Sequence, residues 1–146
     1  MTHPTPVANG RLLGLTHYAS RALLERVLAR TGITFDQSVA LRALVDHGGT
    51  VEHATLVTRL EDALKVADEA VARTAVDGLI ADGLLEVSPE GRVSFTAGGR
   101  DLFDGLQAAA QEAASLLYAG IPQEDLETAG RVLTLVLKRA NAELAA

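Results

Sequence analysis

DEAVARTAVDGLIADGLLEVSPEGRVSFTAGG, Asp68 to Gly99, is the stretch that decides the fold. It reads as a helix, a sharp stop, a tight hairpin and the start of another helix. Val71, Ala75, Leu79 and Ile80 recur at the spacing of one face of an amphipathic helix. Gly83 supplies the left-handed residue that ends it. Leu85-Glu-Val87 and Arg92-Val-Ser-Phe95 are short strand-like runs around Ser88-Pro-Glu-Gly91, a turn built on Pro and Gly. Helix followed by hairpin is the order of a winged helix-turn-helix. It leaves one helix free to enter a groove and sets a loop beside the neighbouring backbone.

The flanking sequence extends this pattern on both sides. From Arg11 to about Arg30, Leu12, Leu15, Ala19, Ala22, Leu23 and Val27 form one apolar stripe. Leu13, Leu24 and Leu28 form a second, which predicts a helix covered on two sides, one of them by a partner chain. Thr34-Phe-Asp-Gln37 fits a capping box, with Gln37 bonding back to the cap. The helix it opens carries Val39, Leu41, Leu44 and Val45 and stops at Gly48-Gly49. A further helix is expected from Val51 to about Lys65, with Leu56, Val57, Leu60 and Leu64 apolar. Beyond the hairpin, Ala97 to Tyr118 and Glu124 to about Leu144 read as two long amphipathic helices. They are broken by Ala119-Gly120-Ile121-Pro122.

Composition agrees with a mostly helical chain. Apolar residues make up 48% of the 146, but aromatics only 3%, so the core must be built from Leu, Val and Ala. That length predicts one domain, able to bury roughly two-thirds of its unfolded surface. Met1–Gly10 has two prolines and no apolar period and reads as a mobile arm. No apolar run reaches the ~18 residues of a membrane span, and the start has no signal-peptide pattern. The absence of cysteine removes disulfides, thiolate metal sites and thiol redox sensing. The expectation is a cytoplasmic protein.

These residues carry a resemblance. GLIADGLLE (78–86), the short hairpin and FTAGGRDLF (95–103) resemble the "drLeakGLve … LTpaGrall" segment of MarR-type transcriptional regulators. Ile33-Thr34-x-x-Gln37 is similar to the "LTxxQ" that opens the second helix of that family. LYAGIPQEDLETAGRVLTLVLKRANAEL (117–144) resembles its C-terminal dimerising tail. The resemblance covers about Leu12 to Leu144. It implies a mostly α winged helix-turn-helix with a small β-hairpin wing and N- and C-terminal dimerisation helices. Residues 1–10 would be the arm, 11–32 and 98–146 the dimerisation helices, and 33–97 the reading lobe of a single domain.

The function it implies is a homodimeric, sequence-specific regulator, a repressor, on a pseudo-palindromic operator in double-stranded DNA. Lys65, Arg73, Thr74 and Arg92 are the candidate DNA-contacting residues. The chain departs from the family in three places. Glu61-Asp-Ala-Leu64 adds about one helical turn before the recognition helix, expected near Ala67–Asp82. Arg73 and Thr74 stand in the reverse order of the usual Thr-Arg, which rotates the arginine by about 100°. The wing is shorter, with Glu90-Gly91-Arg92 at its tip.

Each of these residues also has an ordinary structural role open to it. Arg73 can pair with Glu69 or Asp77, each four residues away, and Arg92 can be a solvated turn residue beside Glu90. Asp68 and Glu69 suit the positive end of a helix and a cap. Charge is the main objection to a DNA reader. The chain carries −6 overall, and Val51–Thr96 sets Arg59, Lys65, Arg73 and Arg92 against nine carboxylates. A net −5 does not favour phosphate neutralisation. The alternative is a degenerate winged-helix dimer serving as a protein-interaction or ligand-binding module.

Other chemistries find no motif. His3, His17, His47 and His53 have no metal-ligand spacing. There is no nucleophile elbow, catalytic cysteine, phosphate-binding loop or dinucleotide fingerprint. No enzyme, cofactor or metal is expected. In the family, effectors bind between the dimerisation helices and the DNA-binding lobe. His17, Tyr18 and Arg21 on the first helix, with Arg42 on the second, are therefore the candidate pocket for a small aromatic or carboxylate effector. Otherwise Tyr18 fills core and its neighbours face solvent.

Overall fold

The structure, a computed structural model, describes residues 3–65 and 68–146. The first two residues of the predicted arm and the predicted helix start at Ala67 lie outside the described residues. In chain order the elements are α1 (Gly10–Leu28), α2 (Phe35–Asp46), β1 (Thr50–Glu52), α3 (His53–Leu64) and α4 (Glu69–Ala81). Then come β2 (Leu85–Val87), β3 (Arg92–Phe95), α5 (Ala97–Tyr118) and α6 (Gln123–Ala145). The expected fold is the one observed, mostly α with a small antiparallel sheet.

The local signals explain most boundaries. Thr34 Oγ1 accepts from the Gln37 amide at 3.1 Å and Gln37 Oε1 accepts from the Thr34 amide at 3.0 Å, the full reciprocal cap. Asp68 Oδ1 accepts from the Ala70 amide at 2.8 Å, so it caps α4 as expected. Gly83 takes φ +75° and ends α4.

Two expectations are corrected. Val51 and Glu52 do not open the expected helix but, with Thr50, form a strand that pairs with β3 through Thr50–Ser94, Val51–Val93 and Glu52–Arg92. The wing is therefore part of a three-stranded sheet in the order β1-β3-β2. Three residues are too few to show an alternating pattern, and the pairing partners lie 40 to 44 residues downstream. The second correction concerns α4. Its buried line is Ala72, Ala75, Val76 and Leu79, whereas Val71 is 41% exposed. The stretch is rich enough in Ala and Val to support either phase, and packing against α2 and α3 selects one.

The chain divides into two compact units, Met1–Ala113 and Ala114–Ala146. In the first, Leu41, Leu44, Leu56, Leu60, Val76, Leu79, Leu85 and Val93 form the centre of one core. Each fully buried Leu or Val stabilises it by roughly 1.5–3 kcal/mol relative to exposure. Gln37 ties two helices across this core, since its Nε2 donates to the carbonyl of Ala75 at 3.3 Å. α1 joins the core through Leu24, Val27 and Leu28. Its N-terminal half does not, and Leu12, Leu13, Leu15 and Tyr18 are exposed. The second unit holds the end of α5 and all of α6, on which no residue is buried.

Candidate nucleic-acid interface

With Ala72, Ala75, Val76 and Leu79 turned inward, a period of 3.6 sends Ala70, Thr74, Asp77 and Ala81 outward. This outward line of α4 carries two polar side chains and no cation. Arg73 lies on its flank. Its guanidinium forms an ion pair with Glu69, one turn back on the same helix. Of the two partners its spacing allowed, α4 uses the first. Asp77 is engaged by a different residue: His53, the first residue of α3, places Nε2 2.8 Å from Asp77 Oδ1. A carboxylate only accepts, so the imidazole nitrogen is the donor.

The wing stands next to this helix through the same histidine. The His53 amide donates to the carbonyl of Gly91, in the turn, at 3.1 Å. Arg92 is the first residue of β3 rather than part of the turn itself. Its Nη2 reaches back to the carbonyl of Thr50 at 3.4 Å, and its amide donates to Ser88 Oγ at 3.2 Å. Lys65 follows the added turn of α3 with a left-handed backbone, φ 55° and ψ 34°, and its Nζ contacts Asp62 Oδ1 at 3.2 Å. Arg59 borders an open groove of about 490 Å³ with Ala54, Thr55, Thr58 and Asp62. A second groove, of about 420 Å³, runs between the start of α2 and α4 and is bordered by Thr34, Asp36, Gln37, Ala70, Val71 and Thr74.

The structure leaves Thr74 on the outward line of α4 and holds both arginines in internal contacts. Asp77 and His53 belong to this surface and were missed from the sequence. The only available signal was that Asp77 follows Thr74 by three residues. Nothing in the chain pointed to His53, which is 24 residues away.

Solved structures similar to this one show what the fold is. Reduced MarR of E. coli superposes with a TM-score of 0.69 at 22% identity, over 90% of this chain and 95% of that one. A mutant of E. coli MarR in complex with operator DNA gives 0.70 at 21%, covering 88% and 92%. BpsR of Bordetella bronchiseptica, whose DNA binding is regulated by 6-hydroxynicotinic acid, gives 0.63 at 25%, covering 94% and 98%. The fold is that of the MarR-type regulators. No protein-family model matches the sequence, and no curated protein does. At these identities the likeness carries the MarR-type fold, and the chemistry must be argued from the residues present.

The expected effector residues are not all brought together. A cleft of about 210 Å³ lies against α2 and α5, bordered by Leu24, Phe35, Val39, Arg42, Phe103 and Leu106. Arg42 is on its wall, with its guanidinium 5.3 Å from the Phe103 ring centroid. Arg21 meets the same cleft only through Phe35, over whose ring it sits at 4.0 Å while pairing with Glu25. His17 and Tyr18 are not among the bordering residues. Their rings lie 5.5 Å apart on exposed helix, and at 69% exposure Tyr18 does not fill core either. The physical reason is that α1 joins the core only through Leu24, Val27 and Leu28, so its first turns lie off that core.

Among the described residues, no group of three His, Asp or Glu side chains is placed to hold a metal ion. No described helix is long and apolar enough to cross a membrane.

Proposed function

We propose that this chain is a sequence-specific DNA-binding transcriptional regulator, a cytoplasmic repressor acting as a homodimer on a pseudo-palindromic operator. One observation carries the reading. α4 buries one face in the core and turns Ala70, Val71, Thr74 and Asp77 outward beside the wing, the geometry a helix needs to enter a major groove. The operator-bound MarR mutant, of the same fold, supports it. Lys65, Arg73, Thr74 and Arg92 are the proposed DNA contacts. The internal pairs of Arg73 and Lys65 are no obstacle. Exposed pairs one turn apart are worth about 0.3–0.5 kcal/mol, so exchanging a carboxylate for a phosphate costs little. No catalytic activity or cofactor is assigned.

Dimerisation is inferred from apolar surface. α6 has no buried residue and exposes Val132, Leu133, Leu135, Val136, Leu137 and Leu144. α1 exposes Leu12, Leu13 and Leu15. Helices with so many uncovered apolar side chains are expected to pair across a two-fold axis. Residues 11–32 and 98–146 are the proposed dimerisation elements of a single MarR-like domain.

The cleft at Arg42 is the proposed effector site. At about 210 Å³ it lies below the range of drug-sized pockets, which suits a single-ring acid with its carboxylate on Arg42.

The acidic head, net −5, favours a second reading, a winged-helix module that no longer binds DNA strongly and engages a protein or ligand instead. Titration of the purified protein with the DNA upstream of its own gene, at low and moderate salt, separates the two. The regulator reading requires sequence-dependent binding at low salt. Indifference to sequence there supports the module.

A further inference from the structure

The outward line of α4 places a carboxylate where a DNA reader usually avoids one. Asp77 is on the same line as Thr74, one turn further along, and its side chain is 54% exposed. It is not a loose surface acid. His53 Nε2 holds Oδ1 at 2.8 Å from a neighbouring helix, and the same residue's amide is bonded to the wing turn. The ring thus orients the carboxylate and leaves Oδ2 to accept a hydrogen bond from outside the chain. Building on the regulator reading above, we propose that Asp77 is a specificity-determining residue that accepts a hydrogen bond from the exocyclic amine of a cytosine in each half-site.

The choice of base follows from donor and acceptor patterns. In the major groove guanine shows two acceptors and thymine an acceptor and a methyl, so both repel an acceptor-only side chain. Adenine offers an amine but sets the N7 acceptor next to it, opposing a second carboxylate oxygen. Cytosine presents its amine alone. A carboxylate in the groove also repels phosphate, and the imidazole N–H on Oδ1 offsets part of that charge. Charged groups on the elements joined at His53 include Glu52 at the end of β1, Glu90 and Arg92 in and after the turn, and Arg73 one turn before Asp77.

The test is selection of binding sites from a random double-stranded library by wild-type protein, Asp77→Ala and Asp77→Asn. Wild-type protein is expected to select a symmetric site with cytosine at one position in each half. Asp77→Ala should flatten that position alone, by roughly 5- to 150-fold per base pair, with the rest of the site retained. Asp77→Asn should move the preference to adenine, because an amide both donates and accepts and so matches adenine N7 and its amine. His53→Ala should weaken the same position without creating a new preference. If wild-type protein selects a site and the Asp77 and His53 variants select the same one, Asp77 does not read a base and the regulator reading stands. If wild-type protein selects no site, both fail together.

Discussion

Gly99 lies so close against Leu84 that a Cβ on it would stand 1.8 Å from the Leu84 carbonyl oxygen. This contact seats the start of α5 on the end of α4 and the start of the wing. Thr96 completes it: Oγ1 donates to the Gly83 carbonyl at 2.7 Å and accepts from the Gly99 amide at 3.0 Å, while the Thr96 amide donates to Leu84 O at 3.2 Å. The Thr-x-x-Gly pattern of FTAGGRDLF is thus a joint between the reading lobe and the long helix that follows.

Gly99→Ala is expected to destabilise the fold by about 1–3 kcal/mol, since the obstructing atom is backbone and cannot swing aside. Gly98→Ala is the control. Its Cβ would meet nothing nearer than Thr96 Oγ1 at 3.9 Å, and alanine favours a helix. Thermal unfolding of both variants measures the difference, and equal melting temperatures would show that the joint yields.

The dimer is expected to persist at micromolar concentration. Light scattering checks this, and a stable folded monomer there contradicts it. Leu137 is 60% exposed within the chain, so Leu137→Glu leaves the core untouched and tests the proposed interface on α6. It should lower the apparent mass or raise the dissociation constant of the dimer.

If Arg92 contacts one phosphate per subunit, Arg92→Ala should reduce the slope of log affinity against log salt by about 0.9 for each contact, or nearly 2 for a dimer. Its contact with the Thr50 carbonyl is long, at 3.4 Å, so stability should change little. Arg73→Ala should be almost silent in thermal unfolding, since its pair with Glu69 is exposed on both sides. A loss of DNA affinity on this background belongs to the interface. Titrations at three or more salt concentrations separate these effects.

The proposed effector site has its own signature. Arg42→Ala should weaken release of DNA by a single-ring aromatic acid, and Arg21→Ala should weaken it less, because Arg21 reaches the cleft through Phe35. Tyr18→Ala should leave the response unchanged. Competition of ligand against labelled operator gives the ranking, and a dominant Tyr18 effect would relocate the site to α1.

Peroxide should not release the protein from DNA. The sequence has no cysteine, and Met1 is its single methionine, so no thiolate is present to oxidise. Release at a dose that leaves methionine unmodified would require a different redox chemistry.

Local chemistry was enough to read most of the fold from the chain. Thr34 and Gln37 announce their cap, Asp68 announces another, and Gly83 announces a stop, because each acts through backbone groups within a few residues. The long apolar stripes after Ala97 and Glu124 likewise predict α5 and α6, since helical period is a property of consecutive residues. Tertiary structure decided the rest. Thr50–Glu52 became a strand because β3 was there to pair with it. The phase of α4 came from the helices it packs on, turning Val71 out and Ala72 in. Tyr18 was left exposed because α1 runs beyond the core. His53 met Asp77 only once α3, the wing and α4 had come together, and from sequence neither residue marked the other. What depends on neighbours along the chain is written in the sequence in plain form, whereas what depends on neighbours in space exists only after the core has chosen which faces to bury.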